Sequence, residues 1–137
     1  MNREIKFRGK CLVDIGNIKK GDWVYGGISY DTDRVWIDML YYGQILVDKE
    51  TVGQYTGLHD KNGKEIYEGD IVSKEVFDDT KPNYINKSYA KVVYIEELAG
   101  FYLVNKSNKI LWEVADDKYN IEVVSTIYDN PELLGGE

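Results

Sequence analysis

The two residue types that most often act as a nucleophile and its base occur once each in this sequence, as Cys11 and His59. Cys11 falls at an apolar position of an alternating segment, and His59 precedes a turn sequence. We therefore expect Cys11 to be a small buried side chain and His59 to be a polar residue beside a hairpin. No catalytic pair is predicted, and we expect the protein not to be an enzyme.

Oxygen-bearing side chains cluster in one short stretch, at Asp60, Asn62, Glu65, Glu68 and Asp70. Carboxylates and amides are ligands of Ca²⁺ and Mg²⁺, but a calcium-binding loop needs them at alternate positions before its glycine. Only two of the five precede Gly63, so turn formation is the better explanation, and neither metal nor cofactor is predicted. An acid pair of the hydrolase type stays open, because nothing selects one pair among 24 acidic residues. An unrecognised hydrolase is accordingly the second alternative.

Three basic residues, Lys6, Arg8 and Lys10, alternate along the first predicted strand. They define a possible anion-facing strand, with Phe7 on the opposite, buried side. The many tyrosines could stack on bases. A net charge of −7 opposes this interpretation, so a nucleic-acid-binding SH3-like module is kept as the alternative. The acidic residues are interspersed with lysines, which disfavours mimicry of DNA.

Composition indicates one all-β domain. The chain has 137 residues with 12 tyrosines, 3 tryptophans, 13 glycines and only 2 prolines, which is typical of β-rich proteins. This length suffices for a core without disulfides or metal, so a single domain over residues 1–137 is predicted. No apolar run approaches the roughly 20 residues of a membrane helix. We expect a cytoplasmic protein that does not contact a membrane.

Period-two alternation and turn residues predict a succession of strands, a barrel-like sheet and minor helix. The predicted strands are residues 3–13, 23–30, 34–40, 44–47, 70–77, 90–95, 101–104, 109–114 and 121–128. A bulge or bend is expected at Gly26-Gly27, and residues 78–87 are expected to form an exposed loop. Residues 115–119 fit either a helical turn or an acidic loop. Asn130 followed by Pro131 predicts a short helical turn near the C-terminus.

Residues 51–72 form the block around which the rest is organised. Asn62-Gly63 predicts a tight hairpin with positive φ at both residues, and Gly53 and Gly57 predict further tight approaches. Glu68-Gly69 predicts a second turn before the strand at residues 70–77. Backbone geometry leaves five residues of the block unexplained, and these are possible partner-binding residues: Gln54, Tyr55, Thr56, Tyr67 and Glu68.

Five blocks of sequence, at residues 5–8, 24–26, 51–58, 60–72 and 127–134, resemble the YopX family in their order and span nearly the whole chain. The resemblance implies a β-rich protein encoded by a phage or prophage, with no assigned biochemical activity. It supplies no catalytic or ligand-binding residues. Separately, residues 68–72 followed by a meander resemble the opening of SH3-like barrels.

Aromatic residues outside the predicted core indicate an interface, since they bury large areas at low entropic cost. The residues concerned are Trp36, Tyr41, Tyr42 and Tyr84. With the phage or prophage origin that the YopX resemblance implies, we expect a non-enzymatic accessory protein that acts by binding and forms a homo-oligomer. A host or phage protein is a further possible partner.

Overall fold

The computed structural model describes residues 4–77, 80 and 85–135. The fold is mainly β, as predicted, with two antiparallel sheets of five strands each. The chain divides into two compact units, residues 1–57 and residues 58–137. The single domain expected from the sequence stays a prediction. Within the described residues, no helix is long and apolar enough to cross a membrane.

Ten strands, one short α-helix and two 3₁₀ turns make up the described structure. The elements are β1 (Phe7–Cys11), β2 (Trp23–Tyr30), β3 (Val35–Met39), β4 (Gly43–His59), β5 (Glu65–Tyr67), β6 (Asp70–Phe77), β7 (Ile85–Ile95), β8 (Gly100–Val104), β9 (Ile110–Glu113), α1 (Val114–Asp117) and β10 (Ile121–Thr126), with 3₁₀ turns at Glu96–Leu98 and Pro131–Leu133.

The first sheet has the order β1-β2-β3-β4-β5. Strand β1 also pairs with β4, so the strands of the first unit form part of a ring, although the barrel is not closed. The inward side chains make one apolar cluster, formed by Cys11, Val24, Ile37, Ile45 and Val47. Cys11 is buried, as its place in the alternation predicts.

Strand β4 is much longer than the sequence indicates. The prediction of a brief strand at residues 44–47 is wrong, because β4 continues for 17 residues through the charged segment 48–50. That segment is accommodated by an irregularity in the pairing with β1, where Arg8 faces Gly53 but Lys10 faces Asp48. The hydroxyl of Thr51 fills the gap, since it accepts the N–H of Lys10 and donates to the carbonyl oxygen of Asp48.

Strand β2 runs without interruption through Gly26-Gly27, where the sequence predicts a bulge or bend. Instead, β2 changes neighbours there, because its pairing with β1 extends to Gly26 and its pairing with β3 begins at Gly27. Position 26 requires glycine for a steric reason, since a β-carbon there would overlap the carbonyl oxygen of Asp38. The glycine pair thus permits a close approach of strands.

The second sheet has the order β10-β6-β7-β8-β9. Strands β7, β8 and β9 are antiparallel neighbours, which confirms the three-strand meander. The likeness to SH3-like barrels stays a prediction. The core of the second unit comprises Ile66, Val72, Ala90, Val92, Leu103, Val114, Ile121 and Val123. Residues 85–87 belong to β7 rather than to the expected loop, and residues 78, 79 and 81–84 of that loop lie outside the described residues.

The hairpin tip at Asn62-Gly63 is confirmed in place but not in type. Gly63 has a φ of +83°, whereas Asn62 is not among the residues with positive φ. The N–H of Gly63 donates to the carbonyl oxygen of Asp60, and the N–H of Asp60 donates to that of Lys64. This pattern is a type I turn followed by a left-handed glycine, which requires positive φ only once.

The open question at residues 115–119 is resolved as a helical turn, α1. The predicted turn near the C-terminus is confirmed as the 3₁₀ turn at Pro131–Leu133, and Leu134 behind it is buried. Asn130 does not cap this turn through its side chain. Its side-chain oxygen instead accepts a hydrogen bond from the hydroxyl of Ser125.

Candidate functional site

The possible anion-facing strand does not present three basic side chains. Arg8 is only 4% exposed, so its predicted place on an outer face is wrong. Strand β1 lies between β2 and β4, and the Arg8 guanidinium carbon lies 4.5 Å from the centroid of the Trp23 ring. The ammonium of Lys10 lies 5.4 Å from the same centroid. These ring contacts accompany the burial of Arg8.

Lys6 is partly neutralised and partly covered. Its ammonium lies 3.5 Å from a carboxylate oxygen of Glu4 and 5.2 Å from the centroid of the Tyr55 ring. A phosphate group would therefore have to compete with Glu4 for Lys6. Together with the burial of Arg8, this reduces the positive charge that residues 6–10 present to an anion.

Three of the five possible partner-binding residues lie on β4 in the first unit. Tyr55 and Thr56 are buried and Gln54 is half-buried. The N–H of Tyr55 donates to the carbonyl oxygen of Lys6, and Gln54 pairs with Phe7 in the ladder. These side chains therefore contribute to the packing of the protein rather than to an exposed surface.

The other two possible partner-binding residues lie in the second unit. Tyr67 is buried, and its hydroxyl donates to a carboxylate oxygen of Glu65 at 3.0 Å. The N–H of Tyr67 donates to the buried carboxylate of Asp70 at 2.8 Å. Glu68 is half-buried between them in the turn. The distinctive residues of this block thus hold the turn between β5 and β6.

The structure places the single cysteine and the single histidine, the residues considered for catalysis, in different environments. The thiol of Cys11 is buried and donates to the carbonyl oxygen of Lys19 at 2.8 Å. His59 ends β4 beside the hairpin turn. Among the residues that the structure describes, no group of three or more His, Cys, Asp or Glu side chains has a metal-binding arrangement.

The turn between β3 and β4 projects large apolar side chains into solvent. Leu40 is 79% exposed, Tyr41 is 95% exposed, and Tyr42 is also exposed. Consecutive exposed side chains of this size are unusual, because isolated exposed apolar residues are the rule on a protein surface. This hairpin end is the first candidate site.

Tyr41 adopts a backbone conformation that few residues of its kind adopt. Its φ is +75°, and the turn is closed by a hydrogen bond from the N–H of Tyr42 to the carbonyl oxygen of Met39. Tyr41 is the third residue of this turn, a position that glycine or asparagine usually takes when φ is positive. The protein therefore holds an exposed aromatic ring at a sterically unfavourable position.

The loop after β1 contacts this turn at Gly16. The ring of Tyr42 packs over Gly16, where a β-carbon would lie 3.2 Å from the ring. Leu12, Val13 and Ile15 of the same loop are exposed. We call the three exposed residues of this turn the tip patch: Leu40, Tyr41 and Tyr42.

A groove of about 420 Å³ is the second candidate site, and it lies in the second unit. Its lining consists of Lys61, Lys74, Glu75, Phe77, Tyr119 and Asn120. The rings of Phe77 and Tyr119 are 73% and 75% exposed. Among the described residues of this lining Glu75 is the one acidic residue, so these residues do not supply the acid pair that a hydrolase would need.

An ion pair supports one wall of this groove. The ammonium of Lys74 lies 3.0 and 2.9 Å from the two carboxylate oxygens of Asp117 and 4.1 Å from the centroid of the Trp112 ring. The amide of Asn120 donates to the same carboxylate at 3.2 Å. These contacts fix Lys74 and Asn120 in place, and they leave Lys61 as the lysine of the lining whose ammonium has no carboxylate partner among the described residues.

Comparison with models of known protein families shows to which family the chain belongs. The model of the YopX protein family matches residues 11–135. The chain belongs to the YopX family. This confirms the resemblance seen in the sequence blocks, and the family is one of unassigned function.

A solved structure shows a similar fold in a bacterial protein. The YopX-family chain is similar to protein EF1440 from Enterococcus faecalis, with a TM-score of 0.56 and 21% sequence identity. The similarity covers 97% of this chain and 99% of EF1440. A comparison with curated proteins gives no match.

Sequence reasoning found part of the two candidate sites. Tyr41 and Tyr42 are exposed, as their selection for an interface requires, whereas Trp36 is half-buried beside Arg34 and Tyr84 lies outside the described residues. Leu40 is not among the residues that the sequence predicts at an interface, although a large apolar residue at the end of a predicted strand is a usable signal. The groove joins three separate segments, which no local pattern brings together.

Proposed function

We propose that this YopX-family protein is a non-enzymatic binding protein that associates with a second copy of itself through the tip patch. The observation that carries the proposal is the exposure of Leu40 and Tyr41, at 79% and 95%, on a projecting hairpin. Burial of an aromatic or leucine side chain contributes about 1.5–3 kcal/mol. Two copies of such a pair would supply a useful part of the energy of association.

A two-fold symmetric contact fits the tip patch best. In such a contact each copy contributes the same surface, so one apolar patch is sufficient for a closed dimer. A contact between the patch and a different surface would need a second complementary surface and would generate a ring or a filament. The proposed oligomer is therefore a dimer in which the two tip patches face each other.

The backbone of Tyr41 supports this proposal. A tyrosine with φ of +75° costs stability relative to glycine at the same position. A cost of this kind is expected where the side chain contributes to binding, because the folded monomer gains nothing from a ring that is 95% exposed. In contact with a second copy the Tyr41 ring would be buried and would contribute to binding.

The proposed setting is the cytoplasm of a bacterium that carries the phage or prophage. Two points support it: the phage origin that the YopX resemblance implies, and a free, buried Cys11 that takes no part in a disulfide. Fractionation of cells that express the tagged protein would test this setting, and recovery in the periplasm or membrane fraction would contradict it.

Sedimentation equilibrium of the Leu40→Asp variant tests the proposed contact. A carboxylate at this position would be desolvated in the dimer, so the variant should dissociate at concentrations at which the unmodified protein remains dimeric. Tyr30→Asp is the matched control, because Tyr30 is 75% exposed but lies outside the tip patch. Equal effects of the two substitutions, or no effect of Leu40→Asp, would contradict the proposal.

A further inference from the structure

Strand β6 of the second unit extends beyond its neighbour β10. The pairing between them ends at Lys74 and Ile121, since Ile121 is the first residue of β10. Strand β6 continues for three residues to Phe77, and there it pairs with β7 on its other side. In the part of the chain that the structure describes, no strand pairs with residues 75–77 on the β10 side.

The second-unit groove runs along this open edge. Glu75 and Phe77 belong to the edge, and Tyr119 and Asn120, which immediately precede β10, form the facing wall. Every second residue of an edge strand directs its N–H and C=O groups away from the sheet. The groove therefore offers backbone hydrogen-bonding groups over a length of about 10 Å along the strand. The exposed rings of Phe77 and Tyr119 line the same groove.

We propose that this groove binds an extended peptide segment of a partner protein by adding it as a strand to the edge of β6. Backbone hydrogen bonds to alternate residues of segment 75–77 hold the peptide, which takes the place that a longer β10 would occupy. An apolar side chain of the peptide packs between the rings of Phe77 and Tyr119. An acidic side chain pairs with the ammonium of Lys61.

The charges of the groove favour an extended peptide over a nucleic acid as the ligand. The lining contains the Glu75 carboxylate beside the edge, and the ammonium of Lys74 is already paired with Asp117. Among the described lining residues, Lys61 is the one left to attract an anion, which suits one acidic side chain better than a row of phosphates. A carbohydrate would use the aromatic rings but would leave the open strand edge without a partner.

The proposed site is independent of the tip patch, because the two surfaces lie on different units of the chain. The Leu40→Asp variant, if it folds, should bind peptides in this groove as the unmodified protein does. Failure of one proposal therefore leaves the other standing.

Titration with synthetic peptides tests the inference. The probes are capped, fluorescein-labelled octapeptides in which valine or phenylalanine alternates with glutamate, and each has a twin with N-methyl groups on alternate backbone amides. Binding is followed by fluorescence anisotropy and by the amide NMR signals of the protein. We expect saturable binding that shifts the amide signals of residues 74–77 and 119–120 and is lost with the N-methylated twin.

Two pairs of variants distinguish the groove from general surface effects. Tyr119→Ala and Lys61→Glu should each weaken binding about tenfold. Tyr30→Ala and Lys106→Glu are the matched controls, because Tyr30 has the same exposure as Tyr119 and Lys106 is an exposed lysine away from the groove. The controls should leave binding unchanged.

Three results would overturn the inference. The first is that no peptide of the panel binds at millimolar protein concentration. The second is that binding persists with the N-methylated peptides or is equally reduced by the control variants. The third is that a single-stranded oligonucleotide or an oligosaccharide shifts the same amide signals while the peptides do not.

Discussion

The carboxylate of Asp60 accepts a hydrogen bond from the backbone N–H of Val123 at a distance of 2.8 Å, although the two residues are 63 positions apart. Its other oxygen accepts the N–H groups of Asn62 and Lys64 at 2.9 Å each. One buried carboxylate thus closes the hairpin turn and ties it to the first part of β10. This explains why an acidic residue occupies this place in the sequence block at residues 51–72.

Removal of the Asp60 carboxylate should be among the most destabilising single changes in the second unit. Asp60→Ala leaves three backbone N–H groups without their acceptor, and one of them, on Val123, is buried. We expect a loss of about 3 kcal/mol in the free energy of unfolding, measured by urea denaturation. Asp116→Ala is the control, because Asp116 is exposed. If Asp60→Ala lowers the free energy of unfolding no more than the control does, the hydrogen bonds of the Asp60 carboxylate do not have the proposed role.

Two adjacent glycines should respond very differently to alanine. In Gly26→Ala the new methyl group would overlap the carbonyl oxygen of Asp38, whereas in Gly27→Ala the nearest atom lies 3.7 Å away. We expect Gly26→Ala to destabilise the protein by about 2 kcal/mol or more and Gly27→Ala to be nearly neutral. Thermal unfolding of both variants checks this difference. Similar melting temperatures would show that the strands adjust without cost.

The turn between β2 and β3 should weaken in acid. The pKa of Asp31 lies below its usual value of 3.8, first because its carboxylate accepts the N–H groups of Asp33 and Arg34 and then because of the Arg34 guanidinium. A lowered folded-state pKa means that the stabilisation is complete above the unfolded value and is lost as pH falls through the folded value.

NMR titration of the side-chain carboxyl carbons measures this pKa directly. The midpoint for Asp31 should lie below 3.8. It should rise in Arg34→Gln yet stay below 3.8, because the backbone hydrogen bonds remain. A midpoint at or above 3.8 in the unmodified protein would refute the assignment.

Replacement of Tyr41 by glycine should raise stability and reduce association together. Glycine adopts a φ of +75° without steric cost, so the free energy of unfolding of the monomer should rise by up to about 1 kcal/mol. The dimer should weaken because the exposed ring is lost. Tyr42→Gly is the control for the stability effect alone, since Tyr42 lacks positive φ and packs over Gly16, and it should make the monomer less stable. Unfolding in dilute and concentrated samples separates the two effects. If the Tyr41→Gly monomer is less stable than the unmodified monomer, the positive φ of Tyr41 does not strain the backbone.

Local patterns sufficed for much of the fold. Strand β6 was predicted with its observed bounds because the turn at Gly69 and the alternation after it act over neighbouring residues. The length of β4 could not be predicted, since its continuation through Asp48 and Lys49 depends on the hydroxyl of Thr51 reaching β1. The burial of Arg8 likewise depends on Trp23, which lies on another strand.

The candidate sites were less accessible to sequence reasoning than the fold. Tyr41 and Tyr42 were selected correctly as exposed aromatic residues, because a turn between two strands keeps its side chains out of the core. The second-unit groove depends on where β10 begins relative to β6, which is a matter of register. The side chains of Lys61, Phe77 and Tyr119 come together only when the sheet has formed.

The molar mass of the unmodified protein in solution tests the central claim most directly. Light scattering coupled to size-exclusion chromatography should give a mass approaching twice 15.8 kDa at high protein concentration and falling toward 15.8 kDa on dilution. A mass that stays at 15.8 kDa at the highest concentration measured would contradict self-association through the tip patch.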